Sequence, residues 1–127
     1  MSRITPGLLA LVALGLYPGC QTQRPIYYWG SYESLLYKNY AHPGKVSPEE
    51  QIEKLQEDLS KAAATDLKPN PGLHAQLGYL YLQVGKADAA KNEFEIEKTR
   101  FPESAVLMDR MLQKLNPSPA SGDPLIS

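Results

Sequence analysis

Residues 71–102, PGLHAQLGYLYLQVGKADAAKNEFEIEKTRFP, decide the fold that we expect for this chain. Asn70 is a favourable N-cap residue and Pro71 suits the first position of a helix. An apolar stripe at helical spacing follows, Gly85 marks the end of this helix, and a second stripe comes after it. The stripes consist of Leu73, Leu77, Leu80, Tyr81 and Val84, and then of Ala87, Ala90, Phe94 and Phe101. The stretch therefore predicts two consecutive helices.

Six residues of this stretch resemble the tetratricopeptide repeat, a helix–turn–helix unit, in their order and spacing. They are Leu77, Gly78, Tyr81, Ala90, Phe94 and Pro102. The resemblance implies that Gly78 and Ala90 are points of close helix contact. It also implies an all-α fold of antiparallel helical hairpins, preceded by an aromatic-rich N-terminal segment.

Two positions depart from the repeat pattern. His74 stands where the repeat usually has Trp, and Glu97 stands where it usually has a small residue. An ordinary helical hairpin of another fold is the alternative, because short motifs also match by chance.

Length and composition favour one small globular domain. The chain has 127 residues, of which 43% are hydrophobic and 21% charged, with a formal net charge of −1. Acidic and basic residues are interleaved, so we expect no basic face for nucleic acid. We expect domain boundaries at 1–19 for a signal peptide, 20–30 for a tether, 31–115 for the helical domain and 116–127 for a disordered tail.

The N-terminus has the three parts of a signal peptide in order. Arg3 gives a short positive region, residues 8–16 are apolar but too short to span a bilayer, and Gly19 precedes Cys20, the only cysteine. The segment resembles the lipobox of bacterial lipoproteins, which implies cleavage before Cys20 and its acylation. Tyr17 and Pro18 depart from the usual lipobox residues, so a short apolar tail or an uncleaved anchor is the alternative.

Residue 21 bears on the location of such a lipoprotein. In proteins of this kind Asp after the acylated cysteine commonly retains the protein at the inner membrane, and here Gln21 follows. The resemblance therefore implies the outer membrane, at its periplasmic face.

Residues 26–45, IYYWGSYESLLYKNYAHPGK, form an aromatic segment with a predicted short helix after Ser31 that ends before His42. Trp and Tyr bury large areas while keeping one polar group, which suits interfaces and the edges of a core. Three interpretations stay open: a partner-binding surface, contact with lipid headgroups, or packing against the helical pair. Tyr27, Tyr28 and Trp29 precede the helix and are the residues least expected to pack.

Two further helices are predicted around the hairpin. Ser47, Pro48 and Glu50 give a helix start with a capping box. The apolar face of this helix is formed by Ile52, Leu55, Leu59, Ala62 and Ala63. Residues 103–115 give the other helix, with Ala105, Met108, Leu112 and Leu115 on one face.

Three sequence segments together resemble a family of small bacterial lipoproteins with a domain of unknown function. They are YYWG, Y and LLY at residues 27–37, PGLHA and LGYLY at 71–82, and FPES and MDR at 101–110. The resemblance carries no assigned activity. Members are often encoded beside lipoproteins resembling the curli secretion channel, which implies a role in periplasmic assembly.

We expect no enzyme, cofactor or metal site. His42 and His74 have no partner at metal-ligand spacing, and Glu93, Glu95 and Glu97 are expected to form a solvated surface. The repeat resemblance implies that the first helix of the pair lines a partner-binding face. Its candidate contacts are Ala75, Gln76, Tyr79, Leu82 and Gln83, joined by Tyr27, Tyr28 and Trp29 of the aromatic segment.

The function expected is protein–protein interaction or assembly, with another periplasmic or outer-membrane protein as partner. One alternative is that Tyr27, Tyr28, Trp29 and Tyr32 stack on a small ligand such as a cell-wall glycan. Another is a purely structural tether for a neighbouring lipoprotein.

Overall fold

The computed structural model describes residues 23–116, which contain five α-helices, one 3₁₀ turn and one pair of short strands. Along the chain they are β1 (Tyr27–Tyr28), α1 (Tyr32–Ala41), α2 (Pro48–Ala64), β2 (Lys68–Pro69), α3 (Leu73–Gln83), α4 (Ala87–Arg100), the 3₁₀ turn (Pro102–Ser104) and α5 (Ala105–Leu115). The predominantly helical fold is confirmed. The predicted signal peptide, Cys20 and residues 117–127 of the predicted tail lie outside the described residues.

Helices α3 and α4 form a hairpin around which the other elements pack. Gly78 of α3 lies directly against Phe94 of α4, and both residues are buried. The buried core includes apolar residues from every helix. The largest of its fully buried side chains are Leu55, Leu73, Leu77, Leu80, Phe94 and Met108.

The start of α3 differs from the prediction. Its N-cap is Gly72 with φ of 91°, a left-handed conformation that glycine adopts without steric cost, and the helix begins at Leu73. Asn70 is fully buried before the turn, and its side chain donates to the carbonyl of Pro71 at 3.1 Å. Asn is a residue type that favours the N-cap, but here a turn from Asn70 to Leu73 precedes the helix.

Helix α2 begins as the sequence predicts. The Ser47 hydroxyl accepts the backbone N–H of Glu50 at 3.2 Å, and Pro48 occupies the first turn. Ile52, Leu55 and Ala62 are buried, whereas Ala63 is exposed.

The strands were not predicted. Tyr27 and Tyr28 lie in the segment expected to be a tether, and they pair in parallel with Lys68 and Pro69. Strands of two residues are too short to produce an alternating hydrophobic pattern. The ring of Tyr27 packs against that of Phe101, with centroids 6.1 Å apart, so β1 is fixed to the end of α4.

None of the helices within residues 23–116 is long and apolar enough to cross a membrane.

Candidate interaction surface

The predicted contact residues of α3 are accessible to different degrees. Tyr79 is 49% exposed and Gln83 is exposed, whereas Ala75, Gln76 and Leu82 are half-buried. Ala75 and Leu82 pack against the hydrophobic core. The accessible part of this face is therefore formed by the tyrosine and the two glutamines.

These three side chains line one cleft of about 330 Å³. We call it the amide cleft. On the α3 side it is lined by Gln76, Tyr79, Leu80 and Gln83, and on the opposite side by Asn39, Pro43, Gly44, Val46, Pro48 and Gln51. The opposite wall comes from the end of α1, its connection to α2 and the first turn of α2. The sequence predicted the α3 residues but not this second wall.

No residue that lines the amide cleft carries a formal charge. On the α3 side, the absence of charge follows from the sequence of the helix, LHAQLGYLYLQ. Its one titratable side chain besides the tyrosines is His74, which is buried. Four carboxamides and one phenol remain as polar groups, and both types donate and accept hydrogen bonds. The arrangement can recognise uncharged polar groups, such as those of a peptide backbone.

The opposite wall is held in place by a buried glutamine. Gln51 is 4% exposed, its side chain donates to the carbonyl of Val46 at 3.0 Å, and it accepts from the Asn39 amide. These bonds connect the end of α1 with the start of α2. Hydrogen bonds therefore hold this wall at Asn39, Val46 and Gln51.

The prediction that Glu93, Glu95 and Glu97 of α4 form a solvated surface is wrong for two of the three residues. Only Glu95 is exposed. Glu93 Oε2 lies 2.6 Å from His74 Nδ1, and Glu97, 1% exposed, accepts the backbone N–H of Gly72 at 2.7 Å. Glu97 follows Phe94 by three positions and so lies on the apolar face of α4, and this spacing was the signal that the prediction missed.

Tyr32 lies next to this buried carboxylate. Its hydroxyl is close to Gly72, whose backbone N–H donates to the Glu97 carboxylate. Burial raises the pKa of the Tyr32 phenol, and the negative charge of Glu97 raises it further. The contact connects α1 to the start of α3.

The remaining predicted contacts, Tyr27, Tyr28 and Trp29, do not line the amide cleft. Tyr27 and Tyr28 are half-buried in β1, and Trp29 is 44% exposed. The rings of Trp29 and Tyr32 are 6.4 Å apart and inclined at 50°, so they do not form one flat stacking platform. The most exposed aromatic side chains are instead Tyr37 and Tyr40 of α1, which the prediction did not single out.

Within residues 23–116 there is no group of three or more His, Cys, Asp or Glu side chains placed to hold a metal ion. His42 is exposed and His74 is in the core.

Comparison with known proteins identifies a family. The model of a domain of unknown function, DUF4810, matches residues 26–111, which is more than half of the chain, and the chain belongs to this family. No curated protein and no solved structure gives a significant match.

Proposed function

We propose that this DUF4810 protein is a lipid-anchored interaction module that helps assemble another protein in the bacterial envelope. In this proposal α3 and α4 form a hairpin of tetratricopeptide type, and the amide cleft receives a segment of the partner. The module has no catalytic role. One observation carries the proposal. Gln76, Tyr79 and Gln83 line one uncharged cleft, and hydrogen bonds of Gln51 hold the opposite wall of this cleft.

The chemistry of the cleft defines the partner segment. With no Lys or Arg in its lining, it offers no positive charge to pair with a terminal carboxylate or an acidic side chain. Carboxamides form hydrogen bonds with peptide N–H and C=O groups, and the half-exposed Tyr79 offers a ring for an apolar side chain. An extended, uncharged internal segment therefore fits best.

The proposed location depends on Cys20. Its acylation would anchor the chain stably to a membrane, because two or more acyl chains make anchoring stable. Gln21 after the cysteine favours the outer membrane, at its periplasmic face. The partner is then a periplasmic or outer-membrane protein, and a lipoprotein resembling the curli secretion channel is the first candidate.

The test is crosslinking and affinity capture of the intact protein from outer membranes. Tyr79→Ala with Gln83→Ala should reduce capture of the partner, whereas Leu107→Ala with Gln113→Ala, two exposed positions on α5, should not. Cys20→Ser should abolish both membrane attachment and capture.

Two results would overturn parts of this proposal. Full capture by the Tyr79→Ala, Gln83→Ala variant would exclude the amide cleft and favour a purely structural tether. A protein recovered alone, in both wild type and Cys20→Ser, would exclude the assembly role. Quenching of Trp29 fluorescence by cell-wall sugars would then favour the glycan alternative.

A further inference from the structure

Helix α1 exposes an unusual amount of aromatic surface. Tyr40 is 89% exposed, Tyr37 70% and Leu36 36%. Spacings of three and four residues place them on the same side of the helix. Leu35 is the one buried residue of α1, so this side, which we call the α1 outer face, has no partner within the described residues.

From this face we propose that α1 rests on the surface of an anionic phospholipid bilayer. The inference depends on the Cys20 anchor of the proposed function and adds the orientation of the domain. Tyr and Trp side chains are enriched at membrane–water interfaces, because an apolar ring and a polar group suit the headgroup region. Trp29, which is 44% exposed, lies just before the helix, and its ring is 6.4 Å from that of Tyr32.

Charge favours lipid headgroups over a neutral partner. Next to Tyr37 is a cleft of about 540 Å³ whose lining includes Lys38, His42, Lys45, Glu50 and Lys54. Lys54 pairs with Glu50 at 2.7 Å, which leaves Lys38 and Lys45 as the additional positive charges of this cleft. Glu33 of α1, also exposed and at helical spacing from Tyr37, carries a negative charge. The surface beside the tyrosines therefore keeps one net positive charge from Lys38, Lys45 and Glu33 (2 − 1 = 1), whereas the whole chain carries a formal charge of −1. Lysines at a membrane surface are attracted to anionic lipids.

The length of chain after the anchor also favours the bilayer as occupant. Tyr27 is fixed in β1 and stands seven positions after Cys20 (27 − 20 = 7). A fully extended chain spans at most about 3.6 Å per residue, so β1 lies within about 25 Å of the anchored cysteine. Helix α1 begins five residues after Tyr27 (32 − 27 = 5), which keeps it close to the same surface.

Trp29 is the only tryptophan and reports directly on this arrangement. The acylated full-length protein is reconstituted into vesicles of phosphatidylethanolamine and phosphatidylglycerol that contain brominated lipid, and quenching of Trp29 is measured. Tyr37→Ser with Tyr40→Ser should reduce the quenching about twofold, because the aromatic contacts with the interface are lost. Val106→Ser with Leu107→Ser, two exposed apolar residues of α5, is the matched control and should leave it unchanged.

Charge reversal gives a second measurement. Lys38→Glu with Lys45→Glu should reduce the quenching in phosphatidylglycerol vesicles but not in pure phosphatidylcholine. Both variants change exposed side chains, and circular dichroism checks that they fold.

Flotation of the vesicles separates failure of the anchor from failure of the inference. If the wild type does not float, the anchor is wrong and the inference is overturned with it. If the protein floats and neither variant changes the quenching, the anchor stands and α1 does not dock. Loss of a dimer in the Tyr37→Ser, Tyr40→Ser variant, seen by ultracentrifugation without lipid, would assign the face to a second copy and also overturn the inference.

Discussion

At the scale of single residues, the closest approach of α3 and α4 is the contact between Gly78 and Phe94. A Cβ on Gly78 would overlap the ring of Phe94. Gly78→Ala should therefore lower the free energy of unfolding by about 1–3 kcal/mol, the usual cost of overpacking a core. Urea unfolding followed by circular dichroism measures this change.

A second substitution tests the cause. In a Phe94→Leu background the ring is absent, so Gly78→Ala should cost less than in the wild type, and the double-mutant cycle should show coupling between the two sites. Equal costs in both backgrounds would mean that the glycine is required for another reason.

Glu97 presents a conflict between the repeat pattern and the structure. The pattern has a small residue at this position, but Glu97 accepts the N–H of Gly72 at 2.7 Å and lies 3.4 Å from the Ser104 hydroxyl. Glu97→Ala should reduce stability by about 1–3 kcal/mol, because the partly buried Gly72 N–H loses its charged acceptor. Glu97→Gln keeps an acceptor oxygen and should cost less in the same unfolding experiment. An alanine variant as stable as the wild type would show that the small residue of the pattern suffices.

At the scale of elements, α1 is attached to the rest of the molecule by few groups. Asp58 of α2, 4% exposed, accepts the backbone N–H of Ser31 at 2.7 Å and the Ser31 hydroxyl at 2.5 Å. The carboxylate thus accepts the hydrogen bonds of Ser31, the N-cap residue of α1, and it interacts favourably with the positive end of the helix dipole. Asp58 therefore acts as a cap supplied by another helix.

We expect Asp58→Ala to loosen α1 selectively. Loss of a hydrogen bond to a charged group costs about 1.5–3 kcal/mol, so amide hydrogen exchange in residues 32–41 should accelerate about tenfold or more. Exchange in α3 and α4 should change little. Glu57→Ala is the neighbouring control, because Glu57 is exposed and pairs only with Lys61 of its own helix. A uniform acceleration along the whole chain would contradict a local role.

The sequence predicted elements where periodicity and caps agree, and missed those that depend on distant residues. Helix α2 begins at its predicted cap because Ser47 and Pro48 act locally. The pairing of β1 with β2, by contrast, joins Tyr27 to Lys68, and no local pattern encodes it. For the amide cleft, the resemblance to the tetratricopeptide repeat pointed to Gln76 and Gln83, but the opposite wall depends on tertiary packing of the α1–α2 connection.

At the scale of the whole molecule, several contacts in addition to the core join the part from β1 to α2 with β2 and the α3–α4 hairpin. Gln56 donates to the Tyr81 hydroxyl at 2.7 Å, β1 pairs with β2, and the Tyr32 hydroxyl reaches Gly72. The amide cleft has one wall in each part, so its shape depends on how firmly these contacts hold the parts together. Global stability and the binding surface are therefore linked.

The Tyr32 contact makes global stability depend on pH in the alkaline range. Its pKa is raised above the ordinary tyrosine value of about 10, first by burial and then by the Glu97 charge. The folded state thus holds the phenol proton more tightly than the unfolded state. The stabilisation is complete below about pH 10 and is lost as the pH rises through the pKa of the folded state.

Tyr32→Phe removes this proton, so its unfolding free energy should fall less steeply between about pH 9 and pH 11 than that of the wild type. Hydrogen bonds to Glu57 and Asp109 also raise the pKa values of Lys61 and Lys98. These two lysines are present in the wild type and in Tyr32→Phe, so they do not affect the difference between the two. Urea unfolding at a series of pH values measures the difference, with Tyr40→Phe as the exposed control that should follow the wild type. If Tyr32→Phe and Tyr40→Phe give the same slope, the Tyr32 phenol does not contribute to the alkaline loss of stability.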